Sequence, residues 1–397
     1  MMLFCLFLFW VCFGILFYAY IGYPILLYML IRFKKIFSQT VSNTDTINDP
    51  LPDITFIVAA YNEQTVIEKK IQNSFSLIYP SEKLKMIFVT DGSRDGTVDL
   101  VARYPEIKLL HEDERKGKVS AINRAMKEVD TSIVVFSDAN SSINPDGIKK
   151  IVRHYRDNTV GGVSGEKKVI DPGKNPKAVL EEGSYWRYES YLKKLDSSFY
   201  TVVGAAGELF SIRTALFEFL PEEIILEDFV QSLLICQKGY TVRYEPEAVA
   251  IEASSESIKE EQARKIRISA GGFQAMGRIN ALFNILRFPK VSFQLISHRI
   301  LRWTLCPLSL PLLFLANLVL AFTGDIYIYK VFFTVQLLFY LAAAVGFVFA
   351  YNNVKIRILS LAYYFVFMNA AVYMGFWRFI QKGQTVLWEK ASRKEPG

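Results

Sequence analysis

The sequence predicts an α/β fold: a doubly wound, mostly parallel sheet in the middle of the chain, between an N-terminal transmembrane helix and a C-terminal transmembrane helix cluster. Three observations predict it. Of the 397 residues, 51% are hydrophobic and 21% charged, too apolar for a water-soluble globule. Residues 1–31, 303–324, 331–354 and 358–377 contain no Asp, Glu, Lys or Arg, and each is long enough for the ~20 residues that a helix needs to cross hydrocarbon. Between them, short β-branched runs alternate with helical segments.

Residues 1–32 open the chain with the first span. No basic segment precedes the apolar run, the run is far longer than that of a signal peptide, and no A-x-A site follows, so an uncleaved anchor is expected. Arg32, Lys34 and Lys35 come directly after it, which by the positive-inside rule puts the N-terminus outside and the middle region in the cytosol.

The middle region, residues 50–255, is read as the soluble domain. Ile54 to Ala59, Met86 to Thr90, Ile107 to His111 and Ile133 to Ser137 are expected strands. Val66 to Ser76, Val98 to Arg103 and Val119 to Val129 are expected helices between them. Strand, helix, strand in this order makes a parallel sheet covered on both faces, with right-handed crossovers. Ligands of such sheets bind beyond the carboxyl ends of the strands. The residues there are Ala60-Tyr61-Asn62-Glu63 after the first strand, Asp91-Gly92-Ser93-Arg94-Asp95-Gly96-Thr97 after the second and Asp138-Ala139-Asn140 after the fourth.

Acidic groups thus converge on one edge. Their repulsion is relieved by a cation, and oxygen ligands without His or Cys favour Mg²⁺ or Mn²⁺. Three His and four Cys, with Cys5, Cys12 and Cys306 in or beside apolar stretches, give no readable zinc site or disulfide framework. A metal diphosphate meets the charge requirement, and Lys116, Gly117 and Lys118 at a helix start offer positive charge and backbone donors. Local turn and cap roles compete at Asp91, Asp95 and Asp228, and an Asx-turn competes at Asp138 and Asn140.

After the domain, residues 256–300 mix Lys259, Arg264, Lys265, Arg267, Arg278 and Arg287 with Ile266, Phe273, Met276 and Leu286. Amphipathic helices at the headgroup level are expected, with a solvated face as the plainer reading. Residues 301–380 are expected to hold three more spans, and 381–397 a basic tail. Parity puts that tail outside, whereas Arg378, Lys382, Lys390, Arg393 and Lys394 favour the cytosol, so its side stays open.

These motifs taken in order resemble those of the membrane-bound family 2 glycosyltransferases with a GT-A nucleotide-sugar domain, the group that includes hyaluronan, cellulose and poly-N-acetylglucosamine synthases. The likeness rests on Ala59-Ala60-Tyr61-Asn62-Glu63, Asp91-Gly92-Ser93, Lys116-Gly117-Lys118, Asp138-Ala139-Asn140, Gly207 through Arg213 and Glu227-Asp228.

The resemblance implies a hexosyl- or N-acetylhexosaminyl-transferase in cell-surface or extracellular polysaccharide synthesis. It would invert the anomeric configuration, taking a sugar from a UDP- or GDP-sugar to a lipid-linked or growing glycan acceptor. The setting implied is a bacterial inner or plasma membrane, with the catalytic domain cytosolic and no nucleic-acid partner. Ala60, Asn62, Glu63 and Asp91 would bind the nucleotide, and Lys118 and Asp138 the diphosphate. Asp138 with Asn140 would hold the metal, although Asn140 replaces the second acid of the family's DXD motif. Asp228 would be the general base. The family's QxxRW motif is only partly kept in Gln262-Ala263-Arg264-Lys265-Ile266, which lacks the Trp and so weakens a processive synthase with a secretion channel. A sugar nucleotidyltransferase and a non-catalytic membrane subunit are the alternatives. The first lacks its Gly-rich opening loop, and the second leaves Asp91, Asp138 and Asp228 without a purpose.

Overall fold

The structure, a computed structural model, describes residues 1–37, 50–170, 182–253, 258–352, 354, 356–381 and 383. Lys382, Lys390, Arg393 and Lys394, named above for topology, lie outside the described residues. Helices α1 (Met2–Phe17) and α2 (Tyr23–Phe37) lead into β1 (Ile54–Ala60), α3 (Ile67–Phe75), β2 (Leu84–Asp91), α4 (Thr97–Ala102), β3 (Ile107–Glu112), α5 (Lys118–Met126) and β4 (Ile133–Asp138). Next come β5 (Ser141–Ile143), α6 (Gly147–Val152), β6 (Val160–Ile170), α7 (Glu182–Phe199), β7 (Leu209–Arg213), α8 (Glu227–Gln237) and β8 (Thr241–Ala253). The chain continues through α9 (Ile258–Arg278), α10 (Pro289–Leu295), α11 (Leu301–Trp303), α12 (Leu305–Thr323), α13 (Tyr327–Tyr351) and α14 (Arg357–Ile380). It forms two compact units, one from described residues within 1–30, 257–273 and 292–384, the other from those within 31–256 and 274–291.

The second unit is a mixed α/β domain around one eight-stranded sheet of order β3-β2-β1-β4-β7-β6-β8-β5. The β1–β2, β2–β3 and β1–β4 pairs are parallel. β7 runs antiparallel to both β4 and β6, β8 is parallel to β6, and β5 is antiparallel to β8. The four expected strands and three expected helices are all present, with β2 beginning two residues earlier, at Leu84.

β1 is buried along its whole length, as a central parallel strand covered on both faces must be. Its alternation puts Ile54, Phe56, Val58 and Ala60 into one core with Ile67 and Ile71 of α3, Val101 of α4, and Ile148 and Ile151 of α6. Each Ile, Val or Phe side chain among them contributes roughly 1.5–3 kcal/mol when fully buried. The register pairs Ala60 with Thr90 and Ala59 with Asp138. The carboxyl ends of β1, β2 and β4 therefore finish level.

Helices long and apolar enough to cross a membrane run over Met2–Ile36, most of it in the first unit, and over Leu305–Thr323, Tyr327–Tyr351 and Arg357–Ile380, wholly in it. The first is continuous through a π-helical turn at Tyr18–Gly22. Pro24, which has no N–H for the Tyr20 carbonyl, lies just beyond that turn. Pro311 inside α12 likewise frees the carbonyl of Pro307, which accepts the Tyr373 hydroxyl of α14 at 2.7 Å. In hydrocarbon a freed carbonyl needs such a partner. Cys5, Phe9 and Cys12 pack with Leu313, Ala316 and Leu320, while Phe4, Phe7, Leu341 and Ile358 face outward, where lipid is the fitting solvent.

Candidate active site

The loops after β1 and β2 are fastened to one another. Asn62 has φ +52°, a left-handed conformation that Asn tolerates better than most residues. Its amide N–H donates to Ser93 Oγ at 3.1 Å, and its Oδ1 accepts from the Arg94 amide at 2.9 Å. The Glu63 amide donates to Thr97 Oγ1 at 2.8 Å, and Asp95 caps α4 by accepting from the Thr97 amide at 3.0 Å. The Arg115 guanidinium lies 3.7 Å from the centre of the Tyr61 ring. Ala60 ends β1 with 1% of its surface exposed.

Asp91, expected at the nucleotide, ends β2. It is fully buried. Its Oδ1 accepts the Lys116 amide at 2.9 Å, and its Oδ2 accepts the Gly117 amide at 2.8 Å. A carboxylate taken out of water needs such donors. Asp91 therefore shapes the turn that delivers Lys118, with Gly117 at φ +102° supplying the backbone freedom.

Lys118, the first residue of α5, joins the acids. Its Nζ lies 2.9 Å from Asp138 Oδ1 and 2.7 Å from Glu227 Oε1. Burial opposes its charge, but Asp138, Glu227 and Asp228 together hold its pKa well above the ordinary lysine value. A Cβ on Gly207 would come within 3.1 Å of both Lys118 Nζ and Asp228 Oδ2, so the chain passes close to both groups there. Asp228 stands in the first turn of α8, its Oδ1 accepting the Phe229 amide at 2.8 Å. Burial, reinforced by Glu227 and opposed by Lys118, raises its pKa to about 7, in the range suited to a general base.

At the end of β4, the carboxylates of Asp138, Glu208 and Glu252 lie within 4.8 Å of one another. Lys167 pairs with Glu208 and, at 2.7 Å, with Glu252, so those two acids belong to a buried ion-pair network. Asn140 Oδ1 is buried with no hydrogen-bond partner among the described residues. An orphaned amide oxygen one residue beyond a carboxylate fits a hard divalent cation such as Mg²⁺ or Mn²⁺.

A partly open cleft runs from Lys118, Gly207, Glu227 and Asp228 to Ile122, Phe136, Phe210, Phe217 and Leu220. Of the expected site residues, Lys118, Asp138 and Asp228 thus meet directly, and Asp91 joins them through main chain. Sequence reasoning missed Lys70, Lys167 and Glu252. Lys70 did leave a signal: it lies three residues after Ile67 and one before Ile71, on the inward face of α3.

Residues 55–220 match the family model described as glycosyl transferase family 2. Among curated proteins, the poly-beta-1,6-N-acetyl-D-glucosamine synthase of Staphylococcus aureus is 26% identical over 242 residues, 58% of this chain and 57% of that protein. A probable glycosyltransferase of Bacillus subtilis is 24% identical over 62% of this chain and 61% of its own length. The chain therefore matches less than two thirds of the length of either relative. A solved mannosyltransferase from Pyrobaculum calidifontis, in complex with GDP-Man and Mn²⁺, has a TM-score of 0.69 at 23% identity, covering 95% of this chain and 100% of that one. That likeness supports the GT-A fold.

Proposed function

We propose, on the premise that residues 55–220 are a glycosyl transferase family 2 domain, that the protein is a membrane-bound, inverting glycosyltransferase. It would act at the cytosolic face on a lipid-linked or growing glycan acceptor. The observation that carries the proposal is Lys118 Nζ at 2.9 Å from Asp138 and 2.7 Å from Glu227, with Asp228 alongside. A base and a charged donor for the leaving group then share one cleft.

Asp228 Oδ2 takes the proton of the acceptor hydroxyl as that oxygen bonds to the anomeric carbon. The bond from that carbon to the diphosphate breaks on the opposite side, so the configuration inverts. Lys118 faces the negative charge that develops on the departing nucleoside diphosphate. A divalent cation held by Asp138 and Asn140, Mg²⁺ or Mn²⁺, supplies further positive charge to the diphosphate when bound. Ala60, Asn62 and Glu63 line the nucleotide side, and Asp91 supports it through the Lys116 and Gly117 amides. Similarity to a poly-beta-1,6-N-acetyl-D-glucosamine synthase favours an N-acetylhexosamine donor and a growing glycan. Arg32, Lys34 and Lys35 favour a cytosolic domain.

The test is to incubate membranes with labelled UDP- and GDP-sugars and Mg²⁺ or Mn²⁺, then follow label into lipid or polymer. Transfer is expected from one donor, with its loss in Asp228→Asn while nucleotide still binds. Undiminished transfer by Asp228→Asn would remove the base assignment, and undiminished transfer by Asp138→Ala the metal assignment.

A further inference from the structure

Lys70 is a buried lysine to which the chemistry above assigns nothing. It sits on α3, 2% exposed, and its Nζ donates to Ser137 Oγ at 2.7 Å and to the Ser141 carbonyl at 2.8 Å. Ser137 immediately precedes Asp138, and Ser141 immediately follows Asn140. The Lys70 amino group therefore ties together the two ends of the turn Asp138-Ala139-Asn140. Within that clasp Ser141 Oγ donates to the Asp138 carbonyl at 3.0 Å, and Ser137 Oγ to the Glu208 carbonyl at 3.0 Å.

One helical turn on, Asn73 continues the grip. Its Nδ2 donates to the Ile143 carbonyl and its Oδ1 accepts the Ile143 amide, both at 2.8 Å. The side-chain amide thus satisfies both main-chain polar groups of the last residue of β5, as a neighbouring strand would. Positions i and i+3 share one face of a helix, so a single face of α3 holds the turn and the strand that follows it.

Burying an ammonium is unfavourable, and an apolar side chain of similar length fills such a space as well or better. Packing alone therefore gives no reason for a lysine here. The fixed spacing of Ser137 and Ser141 does.

We propose that Lys70, assisted by Asn73, is a positioning residue that holds Asp138 and Asn140 in the arrangement that receives the divalent cation. The proposal rests on the reading that Asp138 and Asn140 are the metal ligands. Groups that orient metal ligands from behind typically change affinity by about 10–100-fold when removed. A bare charge effect has the opposite sign, since deleting a positive charge behind Asp138 draws a cation in more tightly.

Titration of the purified full-length protein with Mn²⁺, following the electron paramagnetic resonance signal of the free ion, separates the two. Wild type, Asp138→Ala, Lys70→Met and Asn73→Ala are compared, with metal-free nucleotide binding as the check that each is folded. Lys70→Met is expected to weaken Mn²⁺ binding by about 10-fold or more with nucleotide binding intact, and Asn73→Ala to weaken it by a smaller factor. Unchanged or tighter Mn²⁺ binding in folded Lys70→Met overturns the proposal. Should Lys70→Met not fold, Asn73→Ala decides it, with unchanged affinity counting against it. Wild-type Mn²⁺ binding that survives Asp138→Ala overturns the metal reading as well, and so is distinguishable from a failure of the clasp alone.

Discussion

Asp228 combines a destabilised charge with a position facing the cleft. Its pKa of about 7, against an ordinary 3.8, means that the folded protein keeps a proton that the unfolded chain releases. Stability is therefore lost as pH rises from about 4 through 7, whereas the fraction of Asp228 able to accept a proton grows over the same range. Asp228→Asn should accordingly abolish transfer and raise the thermal midpoint above pH 7. Single-turnover rates of the wild type should rise with pH through about 7. A flat rate profile, or a variant less stable than the wild type at pH 8, would contradict this account. Asp138 and Asp228 were legible because each ends or begins an element in a recognisable order of motifs. Asp91 was legible as a residue of this edge, but its bonds to the Lys116 and Gly117 amides were not, since these come from a distant loop.

Among the elements, β1 to β4 announce themselves as short apolar runs separated by helices, and β5 to β8 do not. β6 contains Gly161, Gly162 and Gly165 and carries Glu166, Lys167 and Lys168. β8 is interrupted at Pro246, where the register jumps from Gly165–Glu245 to Glu166–Val249. Such bulges and buried charges erase the hydrophobic period, and both strands are stabilised by partners far along the chain. Glu245 is 2% exposed and bonds Arg153 and His154. Burial works to raise its pKa, but His154, the Glu247 amide and Arg153 outweigh it and bring the value to about 2. Against an ordinary 4.5, that shift contributes about 3 kcal/mol, fully present above pH 4.5 and lost as pH falls toward 2. Glu245→Gln should lower the thermal midpoint at pH 7, with the deficit shrinking below pH 4. A deficit constant with pH would assign the loss to packing. The Gly207 segment leading into β7 permits a second test, since Gly207→Ala puts a methyl 3.1 Å from Asp228 Oδ2 and Lys118 Nζ. Displacement of reacting groups by even part of an ångström is costly, so kcat should fall by roughly 10–100-fold with the midpoint nearly unchanged. Wild-type kcat would mean that both groups relax freely.

For the whole molecule, the deciding quantity is the side of the membrane that the α/β domain occupies. Arg32, Lys34 and Lys35 end the first apolar helix. The charge bias of loops near a span sets orientation, and these charges favour a cytosolic domain. Spans of this length are legible from sequence because hydrocarbon thickness imposes a length that no soluble element needs. Their mutual packing is not: Tyr373 meeting the carbonyl freed by Pro311 depends on two helices about 60 residues apart in the chain. The orientation is testable with an impermeant thiol reagent. Cys5, Cys12, Cys236 and Cys306 are all buried, so replacing them with Ser and introducing Ser81→Cys at an exposed site creates a single accessible thiol. In intact cells this thiol should stay unlabelled, and permeabilisation should expose it. Labelling in intact cells would put the domain outside, and the cytosolic proposal would fall while the geometry around Lys118 stood.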